Sequence, residues 1–378
     1  MAKIRVAILF GGKSGEHEVS IVSALSIQNA LDKGKYDVTL VGIDKTGRWL
    51  MPDQTKVLAQ RSNARLIKLN EIKETVSLLP FPAEKNLVPV SPQNLATTGD
   101  GAQHFDVILP ILHGTYGEDG TVQGLLELAN MTNIGSGVLG SALGMDKDMA
   151  KRVLRDAGIP VVPFLTVKRG EFKARSQAIL DEAERRFGFP YFVKPANMGS
   201  SVGVNKVKNA SEARGKFEDA LSYDTKVLVE QGIDARELEC AVLGNNDPQA
   251  SIVGEIIPHH EFYTYEAKYM DENGASLKIP ADDLPKATAD RVRQLAVDAF
   301  KALECSGMAR VDFFLDRGTG KVYLNEINTI PGFTQISMYP KLWEATGVPY
   351  SKLLDKLIEL GLERHAEKNS LKTTYEPR

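Results

Sequence analysis

Apolar residues recur along the chain in two rhythms, short continuous or alternating runs and helical spacings of three and four, and the two rhythms alternate. Lys3 to Phe10 predicts a strand, Gly11 to Gly15 a glycine-rich turn, and Glu16 to Leu31 a helix with Val19, Val22, Leu25, Ile27 and Leu31 inward; Tyr36 to Ile43 is a second strand. From about Leu50 to His104, strand-like pieces lie among turn formers and predict no definite element. Phe105 to Leu112 is a strand, His113 to Gly120 a glycine-rich loop, and Thr121 to Asn130 a helix. A helix after Met145-Asp-Lys-Asp148 stops at Gly158-Ile-Pro160. Strands follow at Phe164 to Val167, Tyr191 to Lys194, Val204 to Val207 and Lys226 to Glu230, with helices at Ala174 to Phe187 and, capped by Ser211, to about Leu221. Strands Glu239 to Val242 and Ser251 to Ile257 lead to a polar, aromatic-rich stretch, His259 to Ile279, with the length of an ordered lid. Helices are predicted at Lys286 to Leu303, Pro340 to Thr346 and Tyr350 to Ala366.

The densest chemistry lies in a predicted β-hairpin, Arg310 to Asn328, turning at Asp316-Arg-Gly-Thr-Gly320. Its period of two puts Val311, Phe313 and Leu315 with Tyr323 and Ile327 on an apolar face, and Arg310, Asp312, Glu326 and Asn328 with Phe314 and Leu324 on the other. If Asp312 sits opposite Glu326, Arg310 sits opposite Asn328. Facing carboxylates repel unless a positive charge lies between them, and with the Asn328 carbonyl they form an all-oxygen set suited to magnesium and, through it, a nucleoside triphosphate. The competing reading is a solvated hairpin face.

Two further loops carry candidate chemistry. Pro195 to Gly203, with Ser200 and Ser201 between glycines, can close backbone N–H groups over phosphate oxygens, with Lys194 as a point charge at its entrance. Glu230 is placed to read an adenine edge and Glu237 a ribose hydroxyl. His113, at the carboxyl end of a predicted parallel strand, is either a loop-orienting hydrogen-bonder or a site residue. The glycines after the first strand do not match G-x-G-x-x-G, and Ala7 stands where a Walker A loop needs glycine, which excludes NAD and P-loop nucleotide binding there.

With 378 residues and 43% hydrophobic positions the chain can bury two or three domain cores, and a net charge of -3 with mixed signs offers no basic footprint for nucleic acid or an anionic membrane. Cys240 and Cys305 are isolated, which suits buried small hydrophobes in a reducing cytoplasm. No run approaches the roughly 18 apolar residues of a membrane span.

The ordered set Gly-Gly-x-Ser-x-Glu-x-Glu-Val-Ser (11 to 20), His-Gly-x-x-Gly-Glu-Asp-Gly (113 to 120), Val-Lys-Pro (193 to 195), Gly-Ser-Ser-x-Gly (199 to 203), Glu-Ala-Lys-Tyr (266 to 269), Arg-x-Asp (310 to 312) and Asn-Glu-Ile-Asn-Thr-x-Pro-Gly (325 to 332) resembles the D-alanine:D-alanine ligases of the ATP-grasp superfamily. The resemblance spans nearly the whole chain. It implies an α/β (α+β ATP-grasp) fold in three domains: a Rossmann-like, substrate-binding one over 1–142, a central one over 143–230, and a catalytic one over 231–378 carrying the metal site and the lid 259–279, with ATP clasped between two antiparallel sheets.

The same resemblance assigns Lys147, Lys194, Ser200, Ser201, Glu230, Glu237 and Asn325 to ATP, Lys268 to the γ-phosphate, and Asp312, Glu326 and Asn328 to two Mg²⁺, with Mn²⁺ able to substitute. It gives Glu16 to the ammonium of the first D-alanine, Arg310 and the Gly332 backbone to its developing oxyanion, and His113, Ser337 and Met338 to substrate binding, Met338 standing where the family often has leucine. Glu16, Ser200 and Tyr269 would be linked by hydrogen bonds. The implied reaction joins two D-alanines for peptidoglycan through an acyl phosphate, in a cytoplasmic homodimer; the rivals are a D-lactate or D-serine ligase of the same fold and a non-catalytic ATP-binding module.

Overall fold

The computed structural model describes residues 2–50, 69, 75–80, 86–90, 103–259 and 275–375. Most of the lid, with Lys268 and Tyr269, lies outside the described residues.

The first part of the chain forms β1 (Ile4–Gly11), α1 (His17–Ala30), β2 (Tyr36–Ile43), β3 (Trp49–Leu50), β4 (Thr75–Leu78), β5 (Asn86–Val90), β6 (Gln103–His104) and β7 (Val107–Ile111). These strands make one sheet in the order β6-β5-β4-β3-β2-β1-β7, parallel where β1 meets β2 and β7 and antiparallel beyond. The unassigned stretch after Leu50 thus contributes β3 to β6 to the sheet. These strands are short and sit at an edge, too short to show a periodicity. In the parallel part, where β1 has a neighbour on each side, Val6, Ile8 and Phe10 pack one way and Ala7 and Leu9 the other, which is why its sequence is a continuous apolar run.

The inward face of α1 is the expected one in part: Leu25, Ile27 and Leu31 are buried, but Val22 is exposed and Val19 half-buried, while Ile21 and Ala24 are buried with His17, Ser20 and Ser23. The buried polar groups explain the difference. Ser20 Oγ accepts from Gly11 N at 2.7 Å and donates to Ile111 O, and His17 Nδ1 donates to Gly12 O at 2.8 Å, so the helix start is fastened to the ends of β1 and β7.

Three helices follow, α2 (Thr121–Leu128), α3 (Val138–Met145) and α4 (Lys147–Asp156). Asp146 caps α4 by accepting from the Asp148 and Met149 amides. The second sheet has the order β10-β9-β11-β8 and is antiparallel, built from β8 (Phe164–Lys168), β9 (Tyr191–Pro195), β10 (Asn205–Val207) and β11 (Lys226–Gln231). It is covered by α5 (Arg169–Phe187) and α6 (Ala210–Tyr223). Asn209, not Ser211, caps α6; its side chain accepts from Ser211 N at 3.1 Å, so the helix starts one residue before the expected cap.

The third sheet has the order β14-β13-β12-β15-β16 and is also antiparallel, with β12 (Ala235–Gly244), β13 (Gln249–Pro258), β14 (Ala275–Lys278), β15 (Gly307–Asp316) and β16 (Val322–Asn328). The helix α7 (Lys286–Ala302) packs on one face, and α8 (Met338–Ala345) and α9 (Tyr350–Asn369) on the other. The last helix also touches the first sheet and α1, so residues from both ends of the chain share one apolar cluster.

The hairpin register is as expected at its site end, Arg310 opposite Asn328 and Asp312 opposite Glu326, but it shifts between Asp312 and Phe313. The irregularity turns Leu324, not Tyr323, into the core beside Phe313 and Ile327. Strict alternation from Ile327 cannot foresee this, because a bulge adds a residue to one strand only.

Candidate active site

Glu16 sits between β1 and α1 where loops from two sheets meet. Ser200 Oγ of the loop after β9 donates to Glu16 Oε1. A Cβ placed at Gly199 would lie 2.5 Å from Glu16 Oε2, and one at Gly114 would lie 2.9 Å from it, with Gly114 at φ +76°. Only glycine lets both backbones come this close to the carboxylate. Ser200 and Ser201 take positive φ, 48° and 59°, a backbone shape serine rarely adopts and one that accumulates at ligand-holding loops.

On the far side of that loop, three lysines gather around two carboxylates, Glu230 and Glu326. Glu230, at the end of β11, lies between Lys194 Nζ at 2.6 Å and Lys151 Nζ at 3.0 Å. Burial alone would raise the Glu230 carboxyl, but the two ammonium groups hold it down to about 2. Burial lowers the Lys151 ammonium, and Glu230 only partly offsets that. For Lys194 burial acts downward too, yet Glu230, Glu326 and Glu237 together raise it. Lys194 also reaches Asn325 Oδ1 at 3.4 Å across the gap between the second and third sheets. Lys147 donates to Met198 O at 2.7 Å and lies 3.5 Å from Glu326 Oε2, joining the same two sheets.

Arg310 binds Asp312 through both Nε and Nη2, each at 2.7 Å, and Nε is 3.0 Å from Glu239 Oε2 on the neighbouring β12. Burial would lower the guanidinium, but these carboxylates raise it well above its usual value. Asn328 Nδ2 donates to Asp312 Oδ2 at 3.0 Å. Among the described residues no three His, Cys, Asp or Glu side chains converge. The donor set Asp312, Glu326 and Asn328 nevertheless fits magnesium: two carboxylates on paired positions and an amide whose oxygen and nitrogen exchange by a half-turn, with Arg310 and Lys147 now supplying the positive charge.

The loop between β16 and α8 lies against His113. His113 is buried and its Nδ1 lies 2.9 Å from Ile330 O; a carbonyl can only accept, so Nδ1 carries the proton. Burial lowers the imidazole, which keeps it neutral, and Nε2 has no partner among the described residues. Ser337 precedes α8 and accepts from Thr334 N at 3.0 Å, 2.9 Å from where a Cβ on Gly332 would stand. The Met338 side chain points away from the site, into the core against Gly254 of β13, so what Met338 offers is the backbone of a helix first turn.

Residues 5–136 match the family described as D-ala D-ala ligase N-terminus, and residues 153–359 that described as D-ala D-ala ligase C-terminus. The chain belongs to the D-alanine–D-alanine ligase family. D-alanine–D-alanine ligase A of Salmonella typhimurium is 51% identical over 374 residues, covering 99% of this chain and 100% of the relative. Among solved structures, D-alanine–D-alanine ligase from Coxiella burnetii superposes with a TM-score of 0.82 at 41% identity, covering 98% of this chain and 97% of that one. The VanG D-Ala:D-Ser ligase from Enterococcus faecalis superposes with a TM-score of 0.81 at 34% identity, covering 95% and 100%. The ligase fold expected from the sequence motifs is therefore the fold of this chain, with two antiparallel sheets facing each other across Lys194 and Asn325.

Sequence reasoning missed three residues that the structure places among these side chains. Lys151 shares the inward face of α4 with Ala150 and Leu154, an odd place for a lysine and the only signal it gave. Glu239 alternates with Glu237 on β12 and pairs with Asp312 in register, which needs the strand order to see. Glu118, buried in the loop 113–120, was quoted as part of a motif without a task of its own.

Proposed function

We propose that this enzyme joins two D-alanines with ATP to give D-alanyl-D-alanine for peptidoglycan precursor synthesis. The observation that carries the reading is the Ser200 to Glu16 hydrogen bond, which puts a carboxylate suited to an ammonium group against the glycine- and serine-rich loop suited to phosphates. Glu16 holds the amine of the first D-alanine. Lys147, Lys194, Ser200 and Ser201 align the nucleotide phosphates with its carboxylate, Glu230 and Glu237 face the nucleoside, and Asn325 braces Lys194. Lys268 and Tyr269 of the lid 259–279 act on the γ-phosphate and on the Glu16 and Ser200 pair. Asp312, Glu326 and Asn328 are the residues that would hold magnesium, which supplies charge neutralisation for the phosphates. Arg310 and the Gly332 N–H then receive the oxyanion that forms when the second amine attacks, and His113, Ser337 and the start of α8 at Met338 orient the substrates.

We divide the chain at about 142 and 230 into a substrate-binding unit and two units that clasp ATP, each centred on one sheet. No described helix is long and apolar enough to cross a membrane, and Cys240 and Cys305 are buried free thiols. Both suit work in the cytoplasm on small molecules, and we infer a homodimer, testable by light scattering.

The test is phosphate release from ATP and Mg²⁺ with D-alanine alone, L-alanine, D-alanine with D-serine, D-alanine with D-lactate, and no amino acid. D-alanine alone should release phosphate and give the dipeptide by mass. Turnover only with a mixed pair would refute the second-substrate assignment, and silence in every arm would refute ligation.

A further inference from the structure

Beyond the hairpin, Ile330 is gripped at both its N–H and its carbonyl by the loop that follows β7. His113 Nδ1 donates to Ile330 O at 2.9 Å, and Glu118 Oε1 accepts from Ile330 N at 2.8 Å. The other Glu118 oxygen accepts from Gly114 N at 2.9 Å, so the carboxyl group ties the loop to itself and to Ile330 at once. Both side chains are buried. Two residues after Gly332's neighbour Pro331 the chain is held again: Phe333 N donates to Ser23 Oγ at 3.3 Å, and Tyr350 OH donates to Phe333 O at 2.7 Å. Gly332 thus lies between two fixed points, and among the described residues its own N–H has no acceptor.

We propose that Glu118 is a positioning residue for the second chemical step: with His113 it fixes Ile330, and so sets the Gly332 N–H against the oxygen that becomes the oxyanion. The proposal rests on the reading of Gly332 given under the proposed function. In the first step a D-alanine carboxylate oxygen bonds to the γ-phosphorus as the bond to ADP breaks, and Gly332 is not needed there. In the second, the amine lone pair attacks the acyl carbon, the carbonyl π pair moves onto oxygen, and collapse expels inorganic phosphate while the amine gives up a proton. Only this step places charge beside Gly332, and a preorganised donor works only if its backbone cannot drift.

A carboxyl is a costly choice for merely tying loops together. Burial and the nearby Glu16 carboxylate push it up to about 8 despite two backbone donors, and a backbone carbonyl would serve as well for stability alone. Glutamine fills the same volume, but its side-chain nitrogen has no lone pair for an N–H, so Glu118→Gln removes one of the two acceptors in either protonation state.

The test uses the full chain with ATP labelled by ¹⁸O in the bridge between the β- and γ-phosphates, following two rates in one reaction. Scrambling of the label reports reversible formation of the acyl phosphate, and dipeptide by mass reports the second step. Glu118→Gln should raise the ratio of scrambling to dipeptide tenfold or more over the parent. A parental ratio, whether both rates fall or neither does, overturns the clamp. If Glu118→Gln does not fold, Ser23→Ala, which frees the Phe333 N–H on the other side of Gly332, should raise the ratio at least threefold, and an unchanged ratio there overturns it equally. A parent that neither scrambles label nor makes dipeptide overturns the ligase reading and this one with it.

Discussion

Replacing Glu230 by glutamine isolates the most buried ion pair among the described residues. Lys151 is 1% exposed and Glu230 2%, and the ion pair between them is the one partner Lys151 has among the described residues. With the carboxylate gone, Lys194, which is less deeply buried, can turn toward Asn325, but Lys151 cannot leave. Removing one partner of a buried pair costs about 3–5 kcal/mol. The carboxyl itself points to a similar size: held at about 2 against an ordinary 4.5, it is worth about 3 kcal/mol. Its folded value is depressed, so this stability is present in full above the ordinary carboxyl range and is lost as pH falls toward 2. Lys151→Met combined with Glu230→Gln removes both charges and fills the space, and should recover about 2 kcal/mol or more of the loss. Urea unfolding of the ligand-free protein by circular dichroism at neutral pH, compared at equal slope, measures all three. A Glu230→Gln variant within about 1 kcal/mol of the parent, or a double variant no more stable than the single, would refute the argument.

Arg310→Ala should lower kcat by about 10²–10³ with an ATP KM within about threefold of the parent, since the role proposed for the arginine is at the oxyanion and not the nucleotide; equal losses in both would contradict that proposal. Gly140→Ala should destabilise by about 1–3 kcal/mol, because a Cβ there would stand 2.4 Å from the Glu304 carbonyl oxygen in rigid backbone; an unchanged urea midpoint would deny the close approach of α3 to that turn. Glu118 titrates near 8 in the folded protein, above its ordinary 4.5, so the stability it confers is present below about 4.5 and declines as pH rises through about 8. Unfolding midpoints across that range should fall less steeply in Glu118→Gln than in the parent, and parallel profiles would count against a buried carboxyl there.

What was legible in the chain follows a physical rule. β1 could be read because a central parallel strand is apolar on both faces, and the site end of the hairpin because Asp312 and Glu326 belong to one alternating face. The α1 face is legible at Leu25, Ile27 and Leu31 but not at Val22, because His17, Ser20 and Ser23 are buried to hold backbone groups, and hydrophobic spacing counts such residues as solvent-facing. Likewise Leu324 was placed outside because alternation assumes an unbroken ladder.

The sequence by itself determined the order of most elements outside 50–104, the acidic and phosphate-cradling segments, and through seven ordered motifs the family. Tertiary structure alone decided which of these segments touch. Glu16 meets Ser200 across 184 residues, Ile330 meets Glu118 across 212, and Lys151 meets Glu230 from a different element. Such contacts join side chains on separate sheets and loops, and local periodicity carries no information about them. The same holds for Glu239 beside Arg310, where the neighbour is set by strand order and not by spacing along the chain.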